Sequence, residues 1–242
     1  MEKNKTAKYF KYAIGEIILV VIGILIALSI NNYNNRRQER KIEQEYILSL
    51  QSEFEINLNK INNSIKENKE RLDSVDKMLT LFDNTVRDTI SDKAMSNIFY
   101  SVFDGEAIYN PANGVLTDII SSGNLNLIQN KKLRQRLASF ESKLEFLKIV
   151  ENAISSMKSE LKNQLYKNGS IRKVLIDKGL NFEHKSISDS VNNRVIFSST
   201  EFENSLLDYY LTITAVNGPR AFGGIKDEIE QILINLDLEI KE

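Results

Sequence analysis

The sequence predicts an all-α protein: one N-terminal transmembrane helix followed by a helical bundle with two long antiparallel helices. Three observations carry that reading. Apolar residues recur at steps of three and four through most of the chain, the spacing of one helix face. Helix breakers are sparse, with 2 prolines and 10 glycines in 242 residues. Residues 12–30 form an apolar run whose one charge is Glu16. Three segments follow: a short basic tail (1–11), the membrane helix (12–30) and a soluble helical-bundle domain (31–242).

The run YAIGEIILVVIGILIALSI would rise roughly 28 Å as a helix, close to the hydrocarbon thickness of a bilayer. A signal peptide would have a shorter apolar region followed by a small-x-small cleavage site. Here Asn31, Asn32, Tyr33, Asn34, Asn35, Arg36 and Arg37 follow instead, so the reading is an uncut anchor. Lys3, Lys5, Lys8 and Lys11 precede the span, while Arg36, Arg37, Arg40 and Lys41 follow it. The counts tie. Lys11 abuts the apolar run and the α-amino group adds charge on that side, which favours a cytoplasmic N-terminus and a domain outside the cytoplasm.

Glu16, Gly23 and Ala27 fall within about 20° of one another on a helical wheel. Gly23 and Ala27 make a small-xxx-small pair, the spacing that lets two membrane helices approach closely, and Glu16 could hydrogen-bond across such a seam. The competing reading is that Glu16 snorkels to the interface while Gly and Ala are simply common in membrane helices.

The residues from Tyr12 to Leu28, continuing through Ile30-Asn31-Asn32-Tyr33-Asn34, resemble the GEIxLVxIGILIAL signature and INNWNE-like exit of an uncharacterised family of Bacteroidota single-pass membrane proteins. Tyr33 stands where that family usually has tryptophan, and Asn35 where it usually has glutamate. A second stretch, Asn110-Pro111, Leu116 to Ile120 and Ser122 to Ile128, is similar to the family's central motif. The resemblance implies a bacterial source and a single-pass topology, and it implies no activity.

Beyond the span, Ile47, Leu50, Phe54, Leu58, Ile61, Ile65, Leu72, Val75, Leu79 and Phe82 describe one long amphipathic helix with a coiled-coil-like seam, interrupted at Asn68 and ended by residues 83–92. Shorter helices are expected over Asp92–Phe103 and Val115–Ser122, with Gly105 and Gly123 as stop signals. The second long helix, about Asn130 to Lys167, should pair antiparallel with the first. Val174 to Ile176 suggest a short helix, and Val195 to Phe197 a short strand or extended link. Thr200 and Glu203 match a capping box opening the next helix, and the last helix runs from about Phe222 to Leu238.

Composition narrows function mainly by exclusion. A formal net charge of −1 argues against nucleic acid as a partner. Without cysteine there is no thiolate chemistry and no Cys-based zinc site. The single histidine, His184, sits in a polar loop. Gly223-Gly224 lacks the strand and the Lys-Ser/Thr of a phosphate loop. Glu53, Glu55, Glu141 and Glu145 fall on what read as solvated faces. No catalytic, cofactor or metal set emerges. Aromatic residues (Phe99, Tyr100, Phe103, Tyr109, Phe140, Phe146, Tyr209 and Tyr210) fit a core better than a pocket. The best binding candidate is the Asn-rich loop carrying Tyr109, Asn110, Pro111, Asn113 and Asn124.

The expected role is a non-enzymatic interaction or assembly module held in the lipid bilayer, self-associating or docking to a membrane-protein partner. A sensory or small-ligand-binding bundle that signals through a membrane partner is the alternative.

Overall fold

The computed structural model describes the backbone of residues 3–240 and side chains from residue 14 to 240. The side chains of the basic tail and of the first residues of the apolar run, Tyr12 and Ala13, lie outside the described residues. The chain is all-α, and no strand occurs among the described residues.

Helix α1 runs unbroken from Lys3 to Leu79, joining the apolar segment to the bundle without a hinge. The sequence explains this continuity: no proline or glycine interrupts residues 24–104. Residues 14–39 are exposed throughout, and burial begins at Glu43 and Ile47. Within this helix lies an apolar stretch of mean hydropathy 2.5, none of it buried, long and apolar enough to cross a membrane.

A 3₁₀ turn, Thr80–Phe82, closes α1, and α2 (Asn84–Arg87) lies in the stretch expected to end the long helix. Then follow α3 (Asp92–Phe103), α4 (Gly114–Ser121), α5 (Lys131–Asn168), α6 (Ile171–Asp177), α7 (Thr200–Val216) and α8 (Phe222–Asp237). Gly123 takes φ 75° after α4, and Asn130 caps α5 through the amides of Lys132 and Leu133. Two local expectations are corrected. Residues 193–198 form a 3₁₀ helix instead of a short strand or extended link. The cap of α7 is Ser199, whose hydroxyl accepts from Phe202, so the helix opens one residue before the Thr200 capping box.

The larger correction concerns the two long helices: α1 and α5 run parallel, not antiparallel. The Gln129 amide, just before α5, meets Glu43 at 2.7 Å, Phe54 packs edge-on against Phe140 at 5.1 Å, and Arg71 and Lys158 converge on the Gly105 carbonyl. Position thus increases together along both helices. The reason is the long connection. Residues 104–128 travel back along α1 to the base of the bundle before α5 begins. The antiparallel partner of α1 is the α7–α8 leg, and α8 packs on α1 most extensively. Asn68 meets Ile213, Gln51 meets Asp237 at 2.8 Å, and Gln44 meets the Glu239 carbonyl at 3.0 Å.

The core is divided in two. The proximal cluster, nearer the apolar segment, joins Ile47, Leu50, Phe54 and Ile61 of α1 to α5 and α8. The distal cluster gathers Val75, Met78, Phe99, Leu161, Phe202 and Tyr209. Asn68 lies near their junction. Its side chain is buried and donates to the Ile213 carbonyl at 2.8 Å, one of the last-turn acceptors of α7 that the helix leaves unpaired. The gap in the apolar pattern at Asn68 is therefore a fastening point.

Candidate binding groove

Glu53, Asn57, Lys60, Ser64 and Arg71 recur at helical spacing on one stripe of α1, and that stripe faces the segment leading into α4. Residues 106–113 have no helical structure and lie extended along it. Ser64 donates to the Ile108 carbonyl at 3.0 Å and Lys60 to the Asn110 carbonyl at 3.0 Å. Asn57 both donates to and accepts from Ala112, each at 2.7 Å. The geometry explains the pairing. One turn of helix rises about 5.4 Å, and two extended residues span roughly 6.6 Å, so steps of three or four on α1 meet every second residue of the segment.

At the ends of this ladder Glu53 accepts from the amides of Val115 (2.6 Å) and Leu116 (3.1 Å), and Arg71 donates to the Gly105 carbonyl at 2.9 Å. Glu53 thus caps α4 from across the bundle, a task the side chain of Asn113 does not perform. It is buried, which corrects its assignment to a solvated face. Glu55, Glu141 and Glu145 are exposed.

With even-numbered residues 108, 110 and 112 turned to α1, residue 109 turns to α5. Its amide donates to Glu151 at 2.8 Å. Between the segment and α5 lies a groove of about 590 Å³, within the range of ligand sites. Tyr109, Asn110, Pro111 and Asn113 all line it, together with Leu144, Leu147 and the charged residues Glu141, Glu145, Lys148 and Glu151. Tyr109 is only 4% exposed, and its hydroxyl has no hydrogen-bond partner among the described residues. Burial, and secondarily the Glu53 carboxylate, push that phenol up. Burial also raises the Glu151 carboxyl, and the Tyr109 amide opposes it.

Asn124 does not join them. It opens a 3₁₀ turn nearer the base of the bundle and donates to the Tyr46 hydroxyl at 2.9 Å. Most other aromatic candidates divide between the two cores: Phe140 packs in the proximal one, Phe99, Phe103 and Tyr209 in the distal one, with Tyr100 and Tyr210 against it, whereas Phe146 is exposed. His184 is exposed beside Arg172. Among the described residues no group of three or more His, Asp or Glu side chains is placed to hold a metal.

A second polar cluster sits where the two cores meet. Lys158, 4% exposed, donates to the Gly105 carbonyl and lies 3.5 Å from Glu106. Burial, and next the Arg71 guanidinium, lower its ammonium pKa, while Glu106 opposes them. The space enclosed beside Lys158 is only about 10 Å³, so these groups pack mainly against one another there.

Glu16, Gly23 and Ala27 are exposed on α1, far from the groove, and a Cβ built on Gly23 meets nothing within 4 Å. The ladder itself escaped sequence reading, although its signal was present: a polar stripe, Glu53/Asn57/Lys60/Ser64, beside the apolar stripe of the same helix.

A family model described as a family of unknown function (DUF6090) matches residues 16–192, and the chain belongs to that family. The match takes in the apolar segment from Glu16 onward, the ladder, the groove and α5, and ends before α7. No curated protein and no solved structure matches the chain.

Proposed function

We propose that this DUF6090 member is a membrane-anchored, non-enzymatic interaction module of Bacteroidota origin that self-associates through α1. Its apolar segment spans the inner (cytoplasmic) membrane, the N-terminus is cytoplasmic and the bundle is periplasmic. The observation that carries the reading is the unbroken helix from Lys3 to Leu79. A hinge between anchor and domain would let the two rotate independently. A continuous helix fixes the rotational phase of one against the other.

That phase suits self-association. At about 100° per residue, Gly23 and Ala27 lie roughly 170° round the helix from Ile47, Leu50 and Phe54, which enter the core. Two copies joined along the small-residue face would carry their bundles outward, clear of each other. The same face continues into the bundle as Leu48 and Ile56, large apolar side chains that are 52% and 47% exposed. Glu16 lies on it too, where a carboxyl near the end of the span can hydrogen-bond to a neighbouring helix.

Crosslinking tests this directly, because the chain has no cysteine of its own. Single cysteines at Gly23 and Ala27, oxidised in native membranes, are expected to give disulfide-linked dimers, whereas cysteines on the opposite face at Ile18 and Leu25 are not. Absence of dimer at both seam positions contradicts the proposal. Reporter fusions to the C-terminus test the orientation, with periplasmic activity as the expected result.

A further inference from the structure

The extended segment has its α1 edge occupied; on its α5 edge the Tyr109 amide is taken by Glu151, and carbonyls are left over. Asn57, Lys60 and Ser64 take the carbonyls of Ala112, Asn110 and Ile108. In an extended chain the odd-numbered residues face the other way, towards α5, as the Tyr109 amide bonded to Glu151 shows. The carbonyls of Tyr109 and Pro111 on that side accept no hydrogen bond among the described residues, and both residues line the groove. An extended segment with unused backbone acceptors is the surface to which another extended chain adds.

The charge of the groove selects the partner. Glu141, Glu145 and Glu151 face Lys148 alone, giving the lining a net charge of −2 from one basic and three acidic residues. Glu141 and Glu145 are exposed and make no ion pair among the described residues. Leu144, Leu147 and Pro111 give the same groove an apolar floor. Acidic rim, apolar floor and free backbone acceptors match a chain with alternating basic and apolar side chains, the period of an extended peptide.

We infer that the groove between residues 108–113 and α5 binds a basic, extended peptide segment of a partner protein. The peptide adds alongside the Tyr109–Pro111 edge and pairs its cationic side chains with Glu141 and Glu145. This gives the interaction module proposed above a partner of stated chemistry. It is separable from self-association, because crosslinking at Gly23 and Ala27 reads a different face of the molecule.

The test uses the full chain in detergent or nanodiscs. The probe is a fluorescent eight-residue peptide alternating lysine and valine, read by anisotropy. Binding is expected, with at least a tenfold loss in the Glu141→Lys/Glu145→Lys variant and a comparable loss when alternate peptide amides are N-methylated. Both substitutions are at exposed sites, and an unchanged melting temperature establishes that the variant is folded. A glutamate–valine peptide of the same length is expected not to bind. The inference is overturned if the lysine–valine peptide fails to bind the parent protein. Equal binding to the charge-reversed variant overturns it too, as does equal affinity of the N-methylated peptide, which would mean that charge alone acts. Crosslinking that persists in the charge-reversed variant keeps the self-association proposal intact whatever the peptide does.

Discussion

Asn57 and Ala112 are joined by two reciprocal hydrogen bonds of 2.7 Å, the side-chain amide of one reading both the N–H and the C=O of the other. The asparagine acts as one rung of a sheet supplied by a helix. It satisfies a stretch of extended backbone that has no neighbouring strand, and it sets the register of the whole return leg on α1. The groove depends on that register, because it turns residue 109 towards α5.

The strength of this rung is measurable. Asn57→Leu removes both bonds and leaves the part-buried Ala112 backbone unpaired, and an expected loss of about 2–3 kcal/mol follows. Asn57→Asp keeps the acceptor but sets a buried carboxylate oxygen against the Ala112 carbonyl, so its loss should be at least as large. Urea unfolding of the three proteins in the same detergent ranks them, and equal stability of Asn57→Leu and the parent would show that the ladder contributes nothing.

Glu53 caps α4 by two backbone amides, Val115 and Leu116. Replacement by alanine is expected to cost about 2 kcal/mol, since both donors lose a charged partner. Glu45→Ala, on the exposed face of the same helix, should change stability by less than about 0.5 kcal/mol. Thermal melts distinguish the two, and hydrogen exchange should locate the effect of the Glu53 change at residues 114–121.

Glu151 provides a pH signature. Burial raises its carboxyl above the ordinary range, so between the unfolded and the folded value the folded chain holds more protons than the unfolded one. Stability then falls as pH rises through that interval. Glu151→Gln keeps an oxygen for the Tyr109 amide and lacks the titration. Its stability relative to the parent is therefore expected to increase as pH climbs from about 4.5. A difference that is flat from pH 4 to 7 would contradict the role assigned to burial.

Gly224 sits where α8 passes the turn that follows α7. A Cβ there would fall 2.1 Å from the Pro219 carbonyl oxygen. Gly224→Ala is expected to destabilise by roughly 2 kcal/mol through backbone displacement, against an ordinary helical preference for alanine over glycine. A stabilised Gly224→Ala variant would overturn that reading of the turn. The Gly223-Gly224 pair, too poor in context for a phosphate loop, thus has a packing explanation.

Element boundaries were legible because they rest on local signals. Asn130, Gly123 and the periodic leucines of α5 mark their helices within a residue or two. The path between helices was not legible. Periodicity shows that α1 and α5 each bury one face, but it says nothing of direction. The parallel arrangement depends on residues 104–128 lying down along α1, a choice made by hydrogen bonds between residues about 50 positions apart, such as Asn57 with Ala112 and Lys60 with Asn110. Glu53 was misread for the same reason: a carboxylate that caps a distant helix has the sequence spacing of one in solvent. The groove was partly legible. Tyr109, Asn110, Pro111 and Asn113 stood out as turn-forming residues between long helices, whereas Asn124, chosen on the same ground, was taken by Tyr46 instead.

Whether the apolar stretch of α1 remains attached and in lipid decides the rest. Fractionation of cells producing the untagged chain, followed by alkaline carbonate extraction and intact-mass measurement, reads both properties at once. The account predicts a carbonate-resistant membrane protein whose mass includes residues 1–30. A polypeptide recovered in the soluble fraction and shortened by that N-terminal segment would contradict it.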